Sequence, residues 1–273
     1  IVKHLGTDAN FNTMNNLIDF LLEHIEVLTM SRVVDIDIAS HEVTYAQYSN
    51  EYVVRSENIL IAVGRAGARD FKLWCEKNNI PLKNNQVDIG VRVELPWTIW
   101  KHFSARIYEP KILYRTSLYH DSVRMFCFNE KGHVVTENTD GILTVNGHSF
   151  KDEAKKSQNS NFALLSTINF TEPFDEPIEY ARFIASLANK ISGGSVLVQR
   201  LGDLVNGHRT NENRLRQSSV KPTLKAVAGD LSLCLPKRQL DNIIETLYAL
   251  DKIAPGTANY DTLLYGVECK YYS

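Results

Sequence analysis

Cysteine is scarce and scattered. The 273-residue chain has four, Cys75, Cys127, Cys234 and Cys269, and none forms a CxxC pair. That spacing supplies neither a disulfide framework nor a zinc knuckle, and it reads as reduced thiols in a cytoplasmic protein. The eight histidines are equally dispersed, with no HxH or HExxH, so a structural metal is not expected. A surplus of one charge is also lacking. Thirty Lys and Arg against 32 Asp and Glu leave a formal net charge of −2, which makes no electrostatic case for nucleic acid or an anionic membrane. No run approaches the roughly eighteen consecutive apolar residues of a membrane-spanning helix. There is no basic–apolar–small leader, and the chain opens on Ile1-Val2-Lys3 without methionine. Such a start reads as a piece excised or processed from a longer polypeptide. Neither a GxGxxG opening a helix nor a Walker A loop occurs anywhere.

What is present is a composition of ordinary globular type, 44% hydrophobic and 23% charged, at a length that allows one large or two ordinary domains. Thr7 or Asp8 followed by Phe11, Met14, Leu17, Ile18, Leu21, Leu22 and Ile25 has the three-and-four spacing of a capped helix. Val34, Ile36 and Ile38 alternate with Asp35 and Asp37, the period of a half-buried strand. "HEVTYAQYSNEYVVRS" predicts a hairpin turning near Ser49-Asn50. In "NILIAVGRAGARD" the apolar run Ile59 to Val63 suits a parallel strand covered on both faces and ending on Gly64. A short helix with Phe71, Trp74 and Cys75 on one face should come next and stop near Asn78-Asn79.

The clearest strand is "VDIGVRVEL". Val87, Ile89, Val91, Val93 and Leu95 face one way, and Asp88, Gly90, Arg92 and Glu94 the other. A β-rich region continues through "KILYRTSLY", "VRMFCF", "HVVTEN", "ILTVNG" and "FALLSTINF". Helices are predicted from Pro177 to Gly194 and from Lys237 to Leu250, with a long polar loop over 202–225 and a closing strand in "TLLYGVECKYY". The order fits an α+β fold in which a β-rich unit is inserted into another domain.

Glycine at a strand end lets backbone approach a ligand, which makes Gly64 the first candidate contact, with Arg65 and Arg69 beside it for an anionic group. An ordinary strand-to-helix turn explains the same residues. Strand alternation places Cys127 with Val123 and Met125, as a core thiol. His133 and His148 flank turns and read as solvated loop histidines. "NSN" (Asn159, Ser160, Asn161) and "VNGHS" (through Asn146, Gly147, His148 and Ser149) are polar clusters at strand ends, where ligand contacts gather. No catalytic triad or paired-carboxylate site stands out.

Several stretches occur in a telling order: "LGTD", "ILIAVGRAGARDFKLWCEKNNIPL", "VDIGVRVELP", "VNGHSF" with "NSNFALL", "VQRLGDLVNG", "LSLCLP" and "LYGVECKYYS". This succession resembles the predicted FAD-dependent dehydrogenases with a glutathione-reductase-like FAD domain, over essentially the whole chain. The resemblance implies a FAD-dependent oxidoreductase of which this chain is the middle, lacking the GxGxxG unit before it and a glycine-rich segment after it. Residues 1–75 would be a partial FAD-domain edge, 76–250 an inserted substrate domain, and 251–273 a strand returning to the FAD domain. It implies FAD contacts at Val33, Val34, Ala62, Val63, Gly64 and Arg65. Asn146 to Ser149 and Asn159 to Asn161 would face the flavin or an unknown small-molecule substrate. The expected partner is the remainder of the FAD domain, with FAD bound weakly or not at all by this chain alone. Three positions depart from the family pattern: Arg65-Ala66 stand for His-Ser, a pair of nearby cysteines is reduced to Cys127, and Cys269-Lys270 replace an arginine-containing stretch. The departures at Arg65 and Lys270 motivate the alternative, a non-catalytic small-molecule or partner-binding module that has lost flavin chemistry.

Overall fold

The computed structural model describes residues 5–83, 85–170, 173, 174 and 176–271. The chain is α+β, and it divides into a smaller unit over 10–83 and a larger one comprising 84–272 with residues 1–9.

The smaller unit holds most of helix α1 (Thr7–His24), strands β1 (Ser31–Asp37), β2 (Glu42–Gln47) and β3 (Asn50–Arg55), and helix α2 (Gly64–Lys77). The strands form an antiparallel sheet in the order β1-β2-β3, with a bulge in β1 between Val33 and Asp35. The hairpin turns where the sequence places it. Trp74 of α2 donates its indole N–H to the Ile36 carbonyl, and Lys77 pairs with Asp35 at 2.7 Å. Helix α1 has the expected spacing yet buries none of its residues. The expected strand Ile59–Val63 does not form; those residues are irregular chain, with Leu60 93% exposed. An apolar run becomes a parallel strand only where neighbouring strands take up its N–H and C=O groups, and no described strand pairs with this one. Gly64 instead opens α2 at φ +60°, a conformation that favours glycine.

The larger unit is built on β4 (Val87–Pro96), followed by α3 (Lys101–Ser104), β5 (Ile112–Arg115), β6 (Ser122–Asn129), β7 (His133–Thr139), β8 (Ile142–His148), β9 (Asn159–Ile168) and α4 (Pro177–Ile191). Then come β10 (Leu197–Arg200), α5 (Leu201–Val205), α6 (Glu212–Gln217), β11 (Val227–Ala228), α7 (Lys237–Asp251) and β12 (Leu263–Tyr271). Seven strands lie in the order β11-β10-β12-β4-β9-β6-β5, and β7 with β8 forms a separate hairpin. The closing strand β12 is therefore paired with β4 and β10 inside this sheet. The stretch 202–225, read as loop, carries two short helices. Their anchor is Asp203, fully buried, which accepts from Arg200, Arg214, Thr210 and Tyr260.

The alternation in β4 sets the two faces of the sheet. Val87, Ile89, Val91, Val93 and Leu95 pack with Ala181, Ile184 and Ala188 of α4 and Leu240, Ile243 and Leu247 of α7 in one apolar core. Alternation of that kind usually leaves the polar face to solvent. Here Asp88, Arg92 and Glu94 are fully buried as well: β8 lies across β12, β4, β6 and β9, Thr223 covers Glu94, and Arg124 and Thr167 cover Asp88. A second core seals that side, with Val134 and Val145 of the hairpin meeting Leu263 and Tyr265 of β12.

Candidate functional site

Polar groups buried beneath a hairpin must find partners or cost several kcal/mol each. On this face they form three clusters. At its centre the Arg92 guanidinium donates from Nε to Asn161 Oδ1 at 2.9 Å and from Nη1 to both Glu268 oxygens at 3.3 Å. Nη2 reaches the Cys127 carbonyl at 3.3 Å and its Sγ at 3.4 Å. Asn129 donates to the Cys127 carbonyl at 2.9 Å and to Asn161 Oδ1 at 3.3 Å. Lys270 lies 3.6 Å from both Glu268 and Glu137, and Asn146 donates to Glu137 at 3.1 Å. Burial pushes the Glu268 carboxyl above the ordinary glutamate value, and the attraction of Arg92 and Lys270 only partly offsets it.

Cys127 corrects the reading by alternation. Val123 and Met125 enter the apolar core, but β6 shifts register between Phe126 and Asn129, and Cys127 sits in that bulge at φ +53°. A bulge inserts an extra residue and re-aims the side chains beside it, so the thiol points to Arg92 rather than into the core. A non-glycine residue held there costs on the order of 1–3 kcal/mol. Glu109, which accepts from the Cys127 N–H at 3.0 Å, helps hold it.

The second cluster surrounds Glu94. Tyr265 donates to it at 2.6 Å, the Thr223 hydroxyl at 2.5 Å, the Thr223 N–H at 3.2 Å and Asn159 at 3.1 Å. Burial raises the Glu94 carboxyl despite these donors, and burial together with Glu94 raises the Tyr265 hydroxyl well above its ordinary value. The third cluster joins Asp88 to Arg124 and to Thr167, whose hydroxyl donates at 2.6 Å. It opens on a polar cleft of ≈280 Å³ lined by residues including Gln86, His120, Asp121, Arg124 and Thr167.

The residues expected at a substrate site separate in the structure. Gly147 and Asn161 meet at the Arg92 cluster, and Asn146 reaches its rim through Glu137. Asn159 belongs to the Glu94 cluster. Ser160 is buried and accepts from the Lys131 N–H at 3.2 Å. His148 pairs with His133 at the end of the hairpin, and the Ser149 carbonyl accepts from the Thr7 N–H. The residues expected against FAD all lie in the smaller unit: Val33 and Val34 exposed on β1, Ala62 and Val63 exposed before α2, and Gly64 and Arg65 in its first turn. Sequence reasoning missed Arg92, Glu94, Asn129, Glu268 and Tyr265. For Arg92 and Glu94 the available signal was two charges on one face of β4, opposite its run of apolar residues.

Among the described residues no group of His, Cys, Asp and Glu is arranged to hold a metal, and no helix is long and apolar enough to cross a membrane. The larger unit is thus an antiparallel-rich α+β domain whose polar sheet face is closed by a hairpin. The model of the family described as FAD-dependent protein, C-terminal domain-like, matches residues 86–271, and the chain belongs to that family. A protein of Clostridium beijerinckii, itself described as uncharacterized, is 25% identical over 290 aligned residues, covering 98% of this chain and 52% of the relative. The chain therefore spans about half the length of the curated relative it matches.

Proposed function

We propose that this chain is the substrate-domain-bearing middle of a FAD-dependent oxidoreductase, a dehydrogenase of glutathione-reductase-like architecture working in the cytoplasm. The carrying observation is the family match over 86–271, which coincides with the larger unit. The smaller unit supports the reading. Phe11, Leu17 and Ile18 on α1 are exposed, as is Leu60 before α2, which suits an FAD-domain edge awaiting the strands that complete it.

The residues at the start of α2 fit a bound cofactor. A Cβ built on Gly64 would meet nothing within 4 Å, so its backbone lies open to close approach at the N-terminus of a 14-residue helix. Gly64 and Arg65 would take a polar part of FAD, with Val33, Val34, Ala62 and Val63 lining it. Bound FAD would supply the hydride chemistry. In the larger unit Asn146, Gly147, His148, Ser149, Asn159, Ser160 and Asn161 are the proposed substrate-side segments. Arg92 and Glu268, fully buried beneath the hairpin, would hold these segments in place.

The test compares two polypeptides. The 273-residue chain alone should purify colourless, whereas the protein from the complete reading frame should carry FAD and show visible flavin absorbance. A complete protein that stays colourless after incubation with FAD overturns the reading. That outcome, together with calorimetric binding of a small molecule to the larger unit, would favour the binding-module alternative, for which the placement of Lys270 between Glu137 and Glu268 speaks.

A further inference from the structure

We propose that the polar cleft beside Asp88 binds a small neutral molecule rich in hydroxyl groups, about the size of a monosaccharide. None of its lining residues belongs to the segments assigned to FAD or to the substrate side, so this site stands apart from the flavin reading. It lies between the β5–β6 pair, the turn that joins them, and the ends of β4 and β9. Its volume of ≈280 Å³ is close to the roughly 300 Å³ at which small-molecule pockets begin.

Fixed polar groups distinguish this cleft from a dent between mobile surface side chains. Arg124 of β6 is paired with Asp88, whose carboxylate is fully buried and also accepts from the Thr167 hydroxyl at 2.6 Å. The Phe126 ring packs against the Arg124 guanidinium, 5.2 Å from its Cζ. Asp121 is held from α7: Arg238 donates to both of its oxygens at 2.6 Å, and Asn242 to one of them at 2.8 Å. The same helix holds the turn before Asp121. Glu245 accepts from the Ser117 N–H at 2.6 Å and its hydroxyl at 2.8 Å, and Tyr119 donates to Asp241 at 2.8 Å. Groups fixed before a ligand arrives lose little freedom when it binds.

That pairing also sets the charge of the ligand. Arg124 and Asp121 are the permanently charged lining residues, and each already has its counter-charge, in Asp88 and Arg238. An ionic ligand would have to compete with one of those pairs. Recognition therefore falls to uncharged groups, the amides of Gln86 and Asn169 and the hydroxyls of Ser122 and Thr167. An amide presents donor and acceptor side by side, and a hydroxyl is both at once. The complement of such a wall is a set of hydroxyls. Leu113, 69% exposed on the edge strand β5, adds an apolar surface for the C–H face of a ring.

The experiment titrates the isotope-labelled 273-residue chain with D-glucose, D-galactose and myo-inositol at neutral pH, and follows amide shifts by NMR. At least one of the three should bind in the millimolar range, as suits a ligand of about a dozen heavy atoms. The shifts should centre on Gln86, Asn169 and residues 120–124. Gln86→Ala combined with Asn169→Ala removes two exposed amides and leaves the buried pairs intact. It should weaken binding at least about fivefold with an unchanged melting temperature. Binding of none of the three, shifts centred elsewhere, or an unchanged affinity in the double variant overturns the proposal. Acetate or methylammonium binding the same residues more tightly than the three neutral probes also overturns it, because a charged ligand would then have displaced one of the ion pairs.

Discussion

Gly147 of the hairpin lies so close to Arg92 of the central strand that a Cβ on the glycine would overlap Nη2. It would also overlap Asn161 Oδ1 and meet Asn129 Nδ2 at 2.5 Å. The hairpin can cover the charged face only because that residue has no side chain. The neighbours cannot swing away, since Arg92 is held by Asn161, Glu268 and Cys127. Gly147→Ala should therefore cost about 1–3 kcal/mol, as overpacking of a close-packed interior does. A urea midpoint that falls with an unchanged slope is the expected reading, and an unmoved midpoint would show that the hairpin can lift.

Glu94 gives a pH-dependent prediction. Its folded pKa is raised, with burial the first cause, so its contribution to stability is full below the ordinary glutamate value of 4.5 and declines as pH rises through the folded value. Glu94→Gln removes that slope and sets an NH2 against the donors Tyr265, Thr223 and Asn159. The variant should be about 1–3 kcal/mol less stable. The wild type's advantage should be widest in acid and narrow toward neutral pH. Urea titrations of both proteins across that range check the sign, and an advantage that widens with pH would contradict it.

Much of this fold is legible in the chain. The Ser49-Asn50 turn, the two faces of Val87–Leu95, the helix starting at Pro177 and stopping before Gly193 (φ +68°) and the helix from Lys237 all arise from local pattern. What escapes is long-range. Ile59–Val63 reads as a strand because apolar runs do, but a strand needs ladder partners that only tertiary structure supplies. The 202–217 segment reads as loop because its helices are short and polar, and what orders them is Asp203, whose partners include residues as distant as Tyr260. The site was legible only in pieces. Gly147 and Asn161 were visible as polar strand ends, but Arg92 was read only as lying on the face opposite the apolar residues of its strand, and nothing local marked Glu268 as its partner. Cys127 was misplaced because a bulge breaks the period of two, and nothing local in "VRMFCFN" announces one.

Asp203 supports a prediction about that same segment. Burial pushes its carboxyl up, but hydrogen bonds from Arg200, Thr210 and Tyr260 outweigh burial and leave it below the ordinary value of 3.8. Its stabilisation is thus present above 3.8 and lost as pH falls through the lower folded value. Asp203→Asn should cost about 3–5 kcal/mol near neutrality, because the largely buried Arg200 would lose its two-pronged carboxylate partner and keep Asp261 alone to balance it. Limited proteolysis should then cut first within 201–217. Cleavage there no faster than in the wild type would mean that Asp261, which also accepts from Arg200 at 3.1 Å, is anchor enough.

Apolar residues in the two units should respond oppositely to truncation. Leu60 is 93% exposed, and Ile89 is fully buried among α4 and α7 side chains. Leu60→Ser removes almost no buried surface, so thermal stability of the 273-residue chain should stay within about 0.5 kcal/mol of wild type. Ile89→Ala opens a cavity in the largest core and should cost about 2–5 kcal/mol. The same Leu60→Ser change in the protein from the complete reading frame separates the proposals for the smaller unit. If the rest of an FAD domain packs on this stretch, the substitution should lower the melting temperature there and weaken flavin retention. An identical melting temperature in the longer protein would mean that Leu60 stays in solvent, and that the FAD-domain edge proposed for residues 10–83 is not completed over this run.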